Sequence, residues 1–321
     1  MNPPTASILL LTYNQEAYVA DALTSLLEQD VDDIEVVISD DDSTDRTWEI
    51  ICQLCSRYAG PKKVIKSKNA KNIGVVANYY QAFSLSSGSL IFTAAGDDIS
   101  LPSRCSKTIA YWMSCEVKPD LIAADGYDMA EDGHILGVKR TAALTDWNLK
   151  RWIEQRPYVF GASHMMTRRL VGLRPLHSNL RYEDQNFVAR ALMMNGASTL
   201  STPLVKHRRG GISQRRELQT TLQRTNRLVE SAKASILQSN EIIEDAALLD
   251  RPELKTLLNE TIDIGNYAID LLTSRRKIHM LEIVQKYKHL PIRKHFKYIG
   301  HRLKMYAAEY KNRNQLRDEK S

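Results

Sequence analysis

The chain has 321 residues, 43% of them hydrophobic, with only 14 Gly and 10 Pro. That is enough for one large domain of roughly 200–250 residues plus an appendage, and too few breakers for long disordered tracts. No run of about 18 or more apolar residues occurs, which predicts no membrane-crossing helix. The start, Met1-Asn2-Pro3-Pro4, lacks a basic and an apolar signal region, so a cytoplasmic location is expected. Charge is uneven: residues 275–321 hold fourteen Lys/Arg against four Asp/Glu, a net +10, which leaves −4 for residues 1–274 within an overall +6. A mildly acidic body carries a basic tail.

The elements alternate at first. Residues 7–11 are a short apolar run, the mark of a buried strand. Val19, Ala22, Leu23, Leu26 and Leu27 recur at helical spacing. Residues 34–38 form a second strand, rich in β-branched side chains. Ser43 and Thr44 suit the cap of a second helix, which stops at Gly60-Pro61. Val64-Ile65, a helix over 74–86, a strand over 90–94 and a helix from about Pro102 to Cys115 follow. This order predicts an α/β fold, a mainly parallel sheet with helices on both faces.

Beyond residue 119 the pattern changes. It predicts a strand over 121–124 and a turn at Glu131-Asp132-Gly133 into a strand over 135–138. A helical stretch over 144–154, a strand at Met165-Met166, a helix opened by Glu183 and stopped at Asn195-Gly196, and a strand over 200–206 come next. From Gln214 onward the pattern is helical: one helix around Leu218, Leu222, Leu228 and Val229, another around Ile242, Ile243, Ala247 and Leu248, a third over 262–272. Pro252 and Pro291 mark boundaries. The organisation is therefore a domain over 1–213 and an all-helical, basic extension over 214–321. Cys52 and Cys55 make a C-x-x-C with no second pair, which fits helix-face thiols better than a metal or redox site.

In an open parallel sheet, ligands bind outside the carboxyl ends of the strands. Strand one ends in Thr12-Tyr13-Asn14, strand two in Asp40-Asp41-Asp42-Ser43-Thr44-Asp45, strand four in Ala95-Gly96-Asp97-Asp98. Two carboxylate clusters thus share one rim, and clustered like charges call for a compensating cation, Mg2+ or Mn2+ by ligand type. Asp42, Ser43 and Asp45 equally suit a helix N-terminus. No G-x-G-x-x-G and no G-x-x-x-x-G-K-[ST] occurs, which argues against dinucleotide-binding and P-loop enzymes.

These segments together resemble the family 2 glycosyltransferases of GT-A fold, of the bacterial surface-polysaccharide type. The resemblance rests on Thr12-Tyr13-Asn14, on Asp40-Asp41-Asp42-Ser43-Thr44-Asp45 (where the family often has Gly at position 42), on Asp97-Asp98 as a D-x-D-like element, and on Glu183-Asp184 before an amphipathic helix. It covers residues 6–210. It implies an inverting transferase, of the hexosyl or N-acetylhexosaminyl class, that moves a sugar from a UDP-linked donor to a hydroxyl of a glycan or lipid-linked acceptor. On that resemblance Thr12, Tyr13, Asn14, Asp41, Asn72, Asn78 and Asp97 bind the donor. Asp98 and His207 hold the metal, Asp184 is the catalytic base, and His164 and Glu183 meet the acceptor. The alternative is a non-catalytic nucleotide-sugar or glycan-binding protein that keeps the fold.

The tail combines Lys/Arg with Tyr287, Phe296, Tyr298, Ile299, Leu303 and Tyr306. That composition suits docking of residues 275–321 on an anionic membrane surface, here the inner face; no nucleic-acid partner is expected.

Overall fold

The structure is a computed structural model and describes residues 5–209, 220–274, 279–293, 295–296, 298–300 and 302–304. The chain divides into two compact units, Met1–Gln214 and Arg215–Ser321. The boundary expected after residue 213 lies outside the described residues.

Unit one opens with β1 (Ala6–Thr12), α1 (Val19–Leu27), β2 (Ile34–Asp40), α2 (Thr47–Arg57), β3 (Lys63–Lys68), α3 (Val75–Leu85) and β4 (Leu90–Ala95). All seven residues of β2 are buried. Its continuous apolar run is what a strand covered on both faces requires. Then come β5 (Ile99–Ser100), α4 (Arg104–Ser114), β6 (Leu121–Met129), β7 (Ile135–Lys139), α5 (Leu149–Glu154), β8 (His164–Thr167), α6 (Arg168–Val171), α7 (Asp184–Met193) and β9 (Ala197–Arg208).

Nine strands of the described residues form one sheet, ordered β3-β2-β1-β4-β8-β6-β9-β5, with β7 paired to β6. The β3-β2-β1-β4 half is parallel throughout. The other half is mixed, because β8 enters antiparallel between β4 and β6 while β6 and β9 run parallel. The main core joins β1, β2 and β4 to α1, with Ile8, Leu10, Val36, Ile38, Phe92, Leu23 and Leu26 buried. Burying one such side chain stabilises the fold by about 1.5–3 kcal/mol.

Several boundaries differ from the sequence reading. The helix expected to be capped by Ser43 and Thr44 starts at Thr47, where the Asp45 carboxylate accepts the Thr47 N–H at 2.9 Å. Strand β6 continues past Ala124 to Met129, because its polar stretch is satisfied internally: Asp125 Oδ1 accepts the Thr141 N–H at 2.8 Å and its hydroxyl at 2.9 Å.

Unit two contains α8 (Thr221–Leu248), α9 (Leu254–Thr273) and α10 (His279–Lys286). The two helices expected between residues 214 and 248 are one, since no Gly or Pro interrupts residues 221–248; Leu218 lies outside the described residues. Thr220 caps α8 in a reciprocal box with Gln223. Helices α8 and α9 cross at Gly265, where a Cβ would come within 2.7 Å of Ile236. Tyr267, Leu271, Tyr287 and Leu290 form a small core against which Tyr298 and Ile299 pack. This corrects the tail expectation: Tyr287, Tyr298 and Ile299 turn inward. Phe296 and Leu303 stay exposed, and Tyr306 lies outside the described residues.

Candidate active site

The loop after β1 is laced to the loop after β2. Asn14 adopts a left-handed conformation (φ 51°), which Asn tolerates better than most residues. Its N–H donates to Ser43 Oγ at 2.9 Å, and its Oδ1 accepts the Thr44 N–H at 2.8 Å. The Gln15 N–H donates to Thr47 Oγ1 at 2.7 Å, and the Glu16 N–H to Asp45 Oδ2 at 3.0 Å. Tyr13 stands at the tip, 48% exposed. The Thr12 hydroxyl is buried without a partner.

Asp41 and Gly96 flank the end of β1: the Asp41 N–H donates to the Thr12 carbonyl at 2.9 Å and the Gly96 N–H to the Leu11 carbonyl at 3.1 Å. The clusters that follow β2 and β4 therefore sit at the same sheet end, one strand apart. The Asp41 carboxylate accepts the N–H groups of Ile73 at 2.8 Å and Gly74 at 2.9 Å, and the Asn69 amide at 2.9 Å. It thus fixes the loop that presents the exposed Asn72. Asn78 does not face a donor. It is buried, its Oδ1 takes the Ser39 hydroxyl and the Asn69 amide, and its Nδ2 donates to the Ser39 carbonyl. The expectation for Asn78 is corrected to a brace behind the Asp41 loop.

Gly96 admits no side chain: a Cβ there would meet Gln15 Oε1 and would lie 2.9 Å from Thr12 Cγ2. Asp97 and Asp98 follow. Burial raises the Asp97 pKa. Burial first, and the neighbouring Asp97 second, push Asp98 well above the ordinary carboxylate range. Asp98 Oδ1 accepts the Arg208 N–H at 2.8 Å, and Arg208 Nε donates to the Asp97 carbonyl at 3.0 Å. The Arg208 guanidinium also reaches the Glu131 carbonyl at 2.6 Å and stacks 4.4 Å from the Tyr18 ring.

Strand β9 pairs Asp128 of β6 with His207. Lys139 Nζ lies 2.8 Å from His207 Nδ1. An ammonium has no lone pair, so Nδ1 accepts and the ring proton sits on Nε2. Burial, reinforced by Lys139, drives the His207 pKa down to about 4. Burial thus holds the imidazole neutral next to Arg208. The His207 ring also meets Phe160 edge to face at 5.2 Å. Phe160 packs with Ala162, Val205 and Ala95, at the end of β4.

Beside Phe160, Gly161 lies against Glu183 and Asp184: a Cβ there would be 3.6 Å from Glu183 Oε1 and 3.7 Å from Asp184 Cβ. Burial first, then Asp184, pushes Glu183 up to about 7; burial also raises Asp184. Asp184 Oδ1 accepts the Gln185 N–H at 2.6 Å. Gln185 in turn accepts the Trp152 indole N–H at 3.0 Å and donates to the Pro157 carbonyl at 2.9 Å, which locks the start of α7. His164 is not an acceptor contact. It is 1% exposed, burial and the nearby Arg104 charge drive it down to about 3, and its carbonyl accepts Arg104 Nη2 at 3.3 Å. It belongs to the sheet interior.

A continuous rim thus runs from Thr12 and Gln15 through Gly96, Asp97, Asp98, Arg208, His207 and Phe160 to Gly161, Glu183 and Asp184. Sequence reasoning missed Gln15, Lys139, Arg208 as a clasp, and Gln185. Only Gly96, a glycine between strand and acidic pair, signalled a close approach. Among the described residues no group of three or more His, Cys, Asp or Glu could hold a metal ion. Asp98 Oδ2 has no hydrogen bond among them, which leaves one hard oxygen open to a cation.

A parallel half-sheet with carboxylates at its carboxyl rim, joined to a mixed half carrying a second acidic pair, is the GT-A-like arrangement of glycosyltransferases. Residues 7–133 match the family model described as Glycosyl transferase family 2. EpsE of Bacillus subtilis (strain 168), provisionally named a glycosyltransferase, is 32% identical over 108 residues, 34% of this chain and 38% of its own. The chain thus spans little more than a third of that relative's length. Among solved structures, S. aureus TarS 1–349 in complex with UDP-GlcNAc superposes with TM-score 0.58 at 19% identity, covering 93% of this chain and 80% of that one. The mannosyltransferase PcManGT from Pyrobaculum calidifontis, in complex with GDP-Man and Mn2+, gives TM-score 0.53 at 12% identity, covering 94% and 87%.

Proposed function

We propose that the chain transfers a sugar, with inversion, from a UDP-linked donor to a hydroxyl of a glycan or lipid-linked acceptor in surface polysaccharide biosynthesis. The observation that carries the reading is the rim itself: buried carboxylates after β4 and before α7, joined by a continuous set of contacts, with raised proton affinity and little internal compensation. Such groups are costly unless a ligand or cation uses them. The unpartnered Thr12 hydroxyl adds a second buried group that a donor would satisfy.

In this reading the Asp41-held loop and Tyr13 bound the nucleotide pocket, and Asp97 meets the ribose or sugar. Asp98 would hold Mn2+ or Mg2+, which when bound neutralises charge developing on the diphosphate. Asp184 takes the proton of the acceptor hydroxyl as that oxygen attacks the anomeric carbon and the nucleoside diphosphate leaves. General-base help of this kind contributes about 10²–10⁴ in rate. Trp152 and Pro157, through Gln185, keep Asp184 in register for the attack.

Release of UDP from UDP-sugars, followed with Mn2+ present, tests the reading. It expects slow metal-dependent hydrolysis that Asp98→Asn abolishes, and an Asp184→Asn variant that still binds donor but does not transfer. Donor binding with no turnover under any acceptor would favour the non-catalytic binder instead.

Anionic lipid is the second partner of this reading. No described helix is long and apolar enough to cross a membrane. Leu281, Ile292, Phe296 and Leu303 are nonetheless 79%, 72%, 69% and 55% exposed, beside Arg293 and Lys304. Apolar residues among cations suit an interfacial helix. Ile292→Ser with Phe296→Ser in the full chain should end co-sedimentation with phosphatidylglycerol vesicles; unchanged sedimentation removes this partner.

A further inference from the structure

We infer that Cys52 and Lys66 form a covalent cross-link, made by an oxidant, between α2 and the edge strand β3. The inference does not depend on the glycosyl-transfer reading. Trp48, Cys52 and Cys55 recur at i, i+4 and i+7, so they share one face of α2. That face lies over β3, since Val64 packs in the same core cluster as Trp48 and Cys55. Lys66 is two residues on from Val64 and so stands on the same side of the strand. Its Nζ donates to Cys52 Sγ at 3.5 Å and lies 5.3 Å from the Trp48 ring.

This lysine is unlike its neighbours. Lys62, Lys63 and Lys68 each face a carboxylate, of Asp32, Glu35 and Asp42. Among the described residues Lys66 makes no ion pair, and its hydrogen-bond partner is a thiol. The Trp48 ring attracts the ammonium and holds the side chain across the helix. Cys52 is half-buried and Lys66 exposed, so a small oxidant reaches the sulfur from solvent.

The second cysteine is a poor partner for the first. Side chains three apart on a helix have Cβ atoms about 5–6 Å apart, whereas a disulfide needs about 3.5–4.5 Å. Cys55 also packs against the main core. Burial raises its pKa, which keeps it in the less nucleophilic thiol form. Lys66 reaches Cys52 with no change in the helix.

The chemistry balances with hydrogen peroxide as the oxidant. The Cys52 sulfur attacks one peroxide oxygen. An S–O bond forms, the O–O bond breaks, and the sulfur is oxidised to a sulfenic acid. The second peroxide oxygen is reduced and leaves as water with the thiol proton. Lys66, having released its ammonium proton to solvent, then attacks the sulfenic sulfur through its lone pair. An S–N bond forms, the S–O bond breaks, and the hydroxyl leaves as water with one amine hydrogen. One thiol, one amine and one peroxide thus give a sulfenamide and two waters. Excess dithiothreitol reduces the S–N bond back to thiol and amine and is itself oxidised to a disulfide.

Peroxide treatment of the full chain at mildly alkaline pH, followed by peptide mass spectrometry without reductant, tests this. The parent chain should yield a species joining the Cys52 and Lys66 peptides, two hydrogens lighter than their sum, and dithiothreitol should remove it. Cys55→Ser should form the same species to the same extent. Lys66→Arg, which keeps a cation over Trp48 but no nucleophilic amine, should stop at oxygen adducts on Cys52. The inference is overturned if the parent chain gains only oxygen on Cys52. It is equally overturned if the lighter species is a Cys52–Cys55 disulfide, lost in Cys55→Ser and retained in Lys66→Arg.

Discussion

Arg208 holds Asp98 by its main chain and Asp97 by its side chain. The Arg208 N–H donates to the Asp98 carboxylate at 2.8 Å, while its guanidinium returns to the Asp97 carbonyl at 3.0 Å. The last strand of the sheet is thereby tied to the acidic turn after β4. Arg208→Ala keeps the backbone bond and removes the return contacts to Asp97 and Glu131. It should cost about 2–4 kcal/mol of stability in urea unfolding. A loss below about 0.5 kcal/mol would show that the clasp is solvent-replaced.

Glu183 supplies a pH signature. Its folded pKa, about 7, stands above the ordinary 4.5, so folding favours its protonated form. Below about pH 4 both states are protonated and the group has no effect on stability. As pH rises towards and past 7 the unfolded chain ionises first, and stability falls. Glu183→Gln should therefore gain about 1–3 kcal/mol at pH 8 and almost nothing at pH 4. Equal gains at both pH values would remove burial as the cause.

Gly96 offers a clash that a second change relieves. Gly96→Ala places a methyl against Gln15 Oε1 and Thr12 Cγ2 and should destabilise by about 1–3 kcal/mol, with donor binding weakened. Adding Gln15→Ala should return part of both losses. A double variant as impaired as the single one would place the strain elsewhere.

Asp42 occupies the position where the family often has glycine, and its φ is 60°. Asp tolerates this region, assisted by Lys68 Nζ at 3.6 Å. Asp42→Gly should stay within about 0.5 kcal/mol of the parent in thermal unfolding, whereas Asp42→Val should cost about 1–2 kcal/mol. A neutral valine would contradict the left-handed backbone.

The parallel half was legible because its strands are buried on both faces and read as uninterrupted apolar runs: residues 7–11, 34–38 and 90–94 declare themselves. Asp41, Asp97 and Asp98 were legible as the polar ends of those strands. Asn78 and His164 were misread because exposure is a tertiary fact. Asn78 sits on a helix face turned to Ser39, and His164 sits in a strand that the sheet encloses. Lys139 was invisible for a related reason. Its neighbour His207 lies 68 residues away, brought close only by the register of β6 with β7 and β9. In unit two, apolar spacing could not distinguish two helices from one long one.

The sheet also carries a seam. Strands β1 to β4 and their helices come from one unbroken stretch of about the first hundred residues, and they meet the rest of the sheet at β4 through three residue pairs with β8, Leu90–Thr167, Ile91–Met166 and Phe92–Met165. The core crosses that seam, since Cys105, Ile122 and Met165 pack in one cluster with Ile8, Val36 and Phe92. The family match runs across this seam to residue 133 and so takes in α4 and β6 of the mixed half as well.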